Sequence, residues 1–89
     1  MNLKLYSWVE RGRQRIAVLK SMSKPQTPTE TRHKSKHYNP KISLNNTSDV
    51  LRSFVRNGIA VCLNNEAKTG RLYQLTSEGE KIRVEILKE

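Results

Sequence analysis

Three stretches of the chain place apolar residues at helical spacing, and each predicts a helix packed against a core. The first, residues 5–22, contains Gly12, which is expected to weaken or bend the helix. The second, residues 44–56, ends at an Asn-Gly C-cap signal. The last, residues 78–87, follows the capping box Ser77-x-x-Glu80. The residues that repeat at this spacing on the predicted core faces are Leu5, Trp8, Val9, Ile16 and Leu19; then Leu44, Thr47, Val50, Leu51 and Phe54; then Ile82 and Ile86.

A helix without an apolar stripe is predicted between the helices over residues 5–22 and 44–56. The Thr-Pro-Thr-Glu run at 27–30 supplies a capping box and a proline at the first helical position. The helix should therefore cover residues 28–36. Tyr38 and Ile42, just beyond it, are expected to be buried in place of the missing apolar stripe.

Two short segments near residue 65 predict a β-hairpin. Residues 59–63 have strand composition, residues 71–75 alternate, and a loop at 64–70 joins them. The fold class is thus α+β, mainly helical: three helices, a two-stranded hairpin and a C-terminal helix. A helix-turn-helix followed by a hairpin places one helix in the major groove and a loop, the wing, beside it. Residues 1–89 are expected to form one winged helix-turn-helix DNA-binding domain.

The charge of the chain favours a polyanionic partner. Lys and Arg number 17 and Asp and Glu number 8, a net +9. Residues 11–41 hold nine Lys and Arg against Glu30 alone, that is +8 of this excess. Nucleic acid is the first candidate and an acidic membrane surface the second. Cys62 is the only cysteine, which excludes an intrachain disulfide, and no apolar run has the length of a membrane span or a secretory signal. A cytoplasmic protein is expected.

The candidate DNA-binding residues lie in three places. The outward face of the third helix carries amides that pair with adenine, an arginine that pairs with guanine, and an aspartate that can accept from cytosine but opposes phosphate. The hairpin tip and the basic first half offer groups for the backbone. The residues are Asn45, Asn46, Ser48, Asp49 and Arg52; Lys68, Thr69 and Arg71; and Lys34, Lys36 and Lys41. Alternatively, these groups form an ordinary solvated face.

A family resemblance is carried by three segments: TPTE at 27–30, NNTSDVLRSFVRNGIAVCL at 45–63 and GRLYQLTSEG at 70–79. They resemble the archaeal winged helix-turn-helix transcriptional regulators, and the last segment is the most specific. The resemblance implies that the third helix binds double-stranded DNA and that the hairpin is the wing. The chain departs from the family pattern at Thr31 and Ser35, where apolar residues are usual. It departs again at Asp49, where a basic residue is frequent.

Other functions have less support in the sequence. His33 and His37 have a spacing that can hold a metal, but no cysteine or carboxylate cluster joins them. No catalytic set, cofactor, membrane contact or small-molecule effector is evident, so an enzyme is not expected. A homodimer is expected, through the Leu5/Trp8 end of the first helix and the Ile82/Ile86 edge of the last. The main alternative is a winged-helix protein-interaction module in a transcription or RNA-processing assembly. An RNA or single-strand binder is disfavoured because few aromatics are available for stacking.

Overall fold

Five helices and a two-stranded antiparallel sheet make up the chain in a computed structural model that describes residues 1–89. The helices Pro28–Ser35 and Leu44–Arg56 form the helix-turn-helix, and the hairpin follows as the wing. This architecture confirms the α+β, mainly helical class, with one helix more than predicted. The elements are α1 (Leu3–Glu10), α2 (Arg13–Ser21), α3 (Pro28–Ser35), α4 (Leu44–Arg56), β1 (Ala60–Cys62), β2 (Tyr73–Leu75) and α5 (Ser77–Leu87). No helix combines the length and the apolar character needed to span a membrane.

The predicted single helix over residues 5–22 is wrong: two helices meet at Gly12. Gly12 has extended backbone angles (φ −117°, ψ 114°) and is the N-cap of α2. Glycine has a low helix propensity, so the break costs little. A Cβ at Gly12 would also lie 2.8 Å from Cδ of Arg15, so the glycine leaves room for that side chain. α1 begins earlier than predicted because the Asn2 side chain accepts a hydrogen bond from the Leu5 N–H (3.1 Å).

The core lies between α4, α2 and α5, and it contains most of the predicted apolar positions. Leu51, Phe54 and Ile82 are fully buried. Two predicted core residues are not in it: Leu44 is 43% exposed and Tyr38 is 45% exposed. Leu44 is the first residue of α4 and faces a groove, so no element covers it. Tyr38 lies in the turn after α3, where its ring contacts His37 and the Lys20 ammonium.

α3 packs through polar side chains. Thr31 and Ser35 are fully buried and belong to a hydrogen-bonded network with Ser21 and Gln26. The Gln26 amide donates to the Thr31 hydroxyl (2.9 Å), and the Ser35 hydroxyl bonds that of Ser21 (3.3 Å). The network leaves no buried side-chain nitrogen or oxygen without a partner, so α3 is buried without an apolar stripe. α3 ends at Ser35, so His33 and His37 do not share a helix as predicted.

The hairpin is shorter than predicted, and its loop is correspondingly longer. Ala60 pairs with Leu75 and Cys62 with Tyr73. Asn64 closes the loop: its side chain donates to the Gly70 carbonyl (3.2 Å) and accepts from the Leu72 N–H (2.7 Å). Gln26 adds a bridge to Tyr73 through two backbone hydrogen bonds of 3.1 and 3.0 Å. The base of the wing is therefore tied to the segment that precedes α3.

α5 starts one residue before its predicted start, and its cap differs from the prediction. The Thr76 hydroxyl, and not Ser77, accepts from the Gly79 N–H (3.1 Å). The same hydroxyl donates to the Gly58 carbonyl (2.7 Å) at the end of the α4–β1 turn. Gly79 is buried so closely that a Cβ there would lie 2.1 Å from the Ile59 carbonyl oxygen. α5 thus begins where the wing ends and packs behind it.

Candidate nucleic-acid interface

α4 presents a polar ridge whose direction is set by its buried back. Val50, Leu51 and Phe54 face the core, and the opposite side carries Asn45 and Arg52 in exposed positions. Helical periodicity fixes this separation, because residues three and four apart share a face. The outward face predicted from the sequence is therefore outward in the structure, with Asp49 exposed on it and Ser48 half-buried at its edge.

Asn46 has a role that the sequence interpretation missed. Its backbone N–H donates to the Ser43 hydroxyl (2.9 Å), and its side-chain oxygen accepts from the Ser43 N–H (3.2 Å). The two bonds form a capping box that satisfies donors at the start of α4. Asn46 is half-buried, and its oxygen is already bonded. Only its NH₂ group can be offered to a ligand without loosening the cap.

An ion pair occupies the centre of the ridge. The Arg52 guanidinium donates to the Asp49 carboxylate one turn before it in α4. Both side chains are well exposed, 53% for Arg52 and 69% for Asp49. An exposed pair of this kind contributes about 0–1 kcal/mol, so an incoming ligand can replace the carboxylate at small cost. Asp49 therefore orients Arg52 but also neutralises it.

A solvent-open groove of about 510 Å³ separates α4 from the wing. From here on it is called the wing groove. It brings Ser48 and Arg52 of α4 together with Lys68, Thr69 and Arg71, which the sequence placed on the wing. It contains three cations and no carboxylate. Its lining is Thr27, Pro28, Thr29, Leu44, Ser48, Arg52, Lys68, Thr69, Gly70, Arg71 and Tyr73.

The start of α3 forms one wall of the wing groove, and no pattern in the sequence indicated this. The capping box at Thr27 is present as predicted, with the Thr27 N–H donating to the Glu30 carboxylate (2.9 Å). This hydrogen bond lowers the pKa of Glu30 below its usual value. Thr29 is exposed and lines the wing groove together with the residues of the wing. The capping pattern located the helix start, but only the tertiary contact directs it at the wing.

Within the wing, Arg71 is partly fixed and the tip is free. The Arg71 Nε donates to the Ala67 carbonyl (2.8 Å), which holds the guanidinium beside the loop. Lys68 and Thr69 are exposed at the tip. Gly70 has φ +64°, a left-handed conformation that glycine adopts without strain, and it turns the chain back toward β2.

The three lysines of the first half do not join the wing groove. The Lys34 ammonium donates to the side-chain oxygen of buried Gln26 (3.2 Å) and faces a different groove, between α2, α3 and α5. Lys36 is the C-cap of α3, and Lys41 lies in the turn before α4; both are exposed. None of the three lysines predicted to contact the backbone therefore lines the wing groove.

The surfaces expected to form a homodimer are used inside the protomer. Ile82 and Ile86 are buried in the core, and Trp8 packs edge-to-face against Phe54 (centroids 6.1 Å apart). The exposed apolar side chains of the first and last helices are different ones: Leu3, Val84 and Leu87. The periodic positions were correctly assigned to an apolar face, but that face packs on this chain's own core.

The order α3–α4–β1–β2, with α4 outward and the hairpin beside it, defines a winged-helix fold. Among solved structures, the chain is similar to YodB from B. subtilis, in a crystal structure of the diamide-treated protein. The TM-score is 0.68 and the identity 20%, and the match covers 99% of this chain and 87% of YodB. Comparison with protein-family models gives no match, and neither does comparison with curated proteins. The likeness to YodB confirms the fold.

Proposed function

We propose that the protein is a sequence-specific regulator of transcription that binds double-stranded DNA. α4 enters the major groove, and the wing contacts the flanking backbone or minor groove. The observation that carries the proposal is the wing groove, where Ser48 and Arg52 meet Lys68 and Arg71 with no carboxylate among the lining residues. A polar helix ridge suits the major groove, which admits an α-helix, and a cationic hairpin beside it suits the negative charge of the backbone.

Each group has a distinct role in this arrangement. Asn45 can pair bidentately with adenine. Arg52 can pair with guanine once its guanidinium releases the Asp49 carboxylate and binds the edge of the base instead. Ser48, at the rim of the groove, can donate to a base or a phosphate. Lys68 and Arg71 neutralise phosphates, which gives affinity without sequence information. Thr69 and the NH₂ group of Asn46 are supplementary donors.

We also infer a homodimer, because two recognition helices then match two half-sites. The exposed apolar residues Leu3, Val84 and Leu87 are the surface to test for it. We further propose that the protein acts as the archaeal regulators that its sequence resembles do, and that it binds DNA in the cytoplasm. We assign it no catalytic activity, cofactor or effector.

The decisive experiment is selection of a preferred duplex from a random pool, followed by competition against random duplex, single-stranded DNA and RNA at two salt concentrations. The proposal expects salt-sensitive duplex binding with a measurable preference for the selected sequence. Preference for single strands or RNA would contradict it. Absence of binding to any nucleic acid would favour the protein-interaction module.

A further inference from the structure

A second cationic groove lies along α4 on the side away from the wing. Its volume is about 640 Å³, and it is called the arginine groove here. Arg13 and Arg15 of α2 face Arg56 of α4 across it, and its one carboxylate is Asp49, which is already paired with Arg52. The lining is Trp8, Gly12, Arg13, Gln14, Arg15, Asp49, Val50, Ser53 and Arg56.

The two grooves flank the outward ridge of α4. Leu44, Ser48 and Arg52 line the wing groove, and these residues are four apart. Asp49, Ser53 and Arg56 line the arginine groove, again at intervals of four and three. Each set is therefore one stripe along the helix. At 3.6 residues per turn the stripes are about 100° apart, and Asn45 lies between them. A ligand centred on the ridge meets both grooves.

Arg15 is held in position before any ligand arrives. Its guanidinium carbon lies 4.4 Å from the centre of the Trp8 ring, and its Nη1 donates to the Trp8 carbonyl (2.7 Å). Trp8 in turn packs edge-to-face on Phe54 of α4. A stacked guanidinium keeps its planar edge available for another acceptor. Arg15 is thus fixed relative to α4. The absence of a side chain at Gly12 makes room for the Arg15 side chain.

Arg13 and Arg56 supply exposed charge beside this fixed group. Both are exposed, and neither belongs to one of the chain's two ion pairs. Arginine binds phosphate oxygens through parallel N–H donors, which makes it well suited to a DNA backbone. We propose that Arg13, Arg15 and Arg56 bind the phosphodiester backbone of duplex DNA along the arginine groove, on the flank of α4 that does not line the wing groove. The proposal rests on the function proposed above, and it adds a second backbone contact to the one made by the wing.

The experiment measures the slope of log K against log salt on a random duplex for the double variant Arg13→Gln, Arg56→Gln. Both side chains are exposed, so its thermal melt should match wild type. The matched control is Lys81→Gln, an exposed cation of α5 outside both grooves. In the double variant, the slope of log K against log salt should be less steep by about two, that is about one for each phosphate that the arginines no longer neutralise. The control should keep the wild-type slope.

Other outcomes separate this proposal from the proposed function. If wild type binds duplex and the double variant keeps the full slope, the arginine groove does not touch DNA, while α4 and the wing remain candidates. If Lys81→Gln flattens the slope by as much per charge as the double variant, net charge alone is responsible and the arginine groove is again excluded. If wild type binds no duplex at any salt concentration, both proposals are overturned.

Discussion

Removing the Thr31 hydroxyl while keeping its shape should destabilise the protein substantially. In Thr31→Val, two hydrogen bonds disappear: the hydroxyl no longer makes its part-buried donation to the Thr27 carbonyl (2.8 Å) or its buried acceptance from the Gln26 amide (2.9 Å). Each bond contributes about 0.5–1.5 kcal/mol. Gln26 then keeps only a long contact with Ser21 (3.4 Å) for its NH₂ group, which adds part of a desolvation penalty. The total loss should be about 2–3 kcal/mol, and the midpoint of thermal unfolding should fall by roughly 10–20 °C.

A double-mutant cycle with Gln26→Leu tests the reasoning behind that number. Replacing both partners by apolar groups of similar size removes the unsatisfied amide. The double variant should therefore lose less unfolding free energy than the sum of the losses in the two single variants. The coupling energy should be roughly 0.5–3 kcal/mol from denaturant titrations. A Thr31→Val protein as stable as wild type, or a cycle with no coupling, would show that polar contacts do not hold α3 in place.

Four further predictions concern the interface and the helix ends. Arg52→Ala should leave the melting temperature nearly unchanged and, in competition between selected and random duplex, reduce discrimination by roughly 1–3 kcal/mol; full discrimination would remove Arg52 from base reading. Asn46→Ala should lower the melting temperature by opening the capping box of α4, at a cost of about 1 kcal/mol, and an unchanged melt would contradict the cap. Gly79→Ala should destabilise by about 1–3 kcal/mol because its Cβ meets the Ile59 carbonyl oxygen, and chemical denaturation with an unshifted midpoint would contradict that close approach. Because the pKa of Glu30 is lowered in the folded state, its ionisation stabilises the protein above pH 4.5, and this stabilisation is lost as the pH falls through the folded pKa. The melting-temperature difference between wild type and Glu30→Gln, which keeps the capping acceptor, should therefore shrink in acid; a pH-independent difference would contradict it.

The elements and their order follow from local patterns in the sequence. The apolar positions Val50, Leu51 and Phe54 set the buried side of α4, and hence its outward ridge, because helical geometry leaves no other arrangement. The capping box at Thr27 located the start of α3, because the free N–H groups at a helix end are satisfied by residues nearby in sequence. The hairpin and the cationic character of its tip were likewise local properties.

Only the tertiary structure decided which surfaces meet. Thr31 and Ser35 look like solvent-facing residues in sequence, and they are buried because Ser21 and Gln26, five to fourteen residues away, provide hydrogen-bond partners. Leu44 follows the apolar period of α4 and is exposed, because no element covers the first turn of that helix. The arginine groove joins α2 to the far side of α4 by the same kind of long-range contact. Periodicity defines the faces of a helix, but the other elements of the fold determine what each face touches.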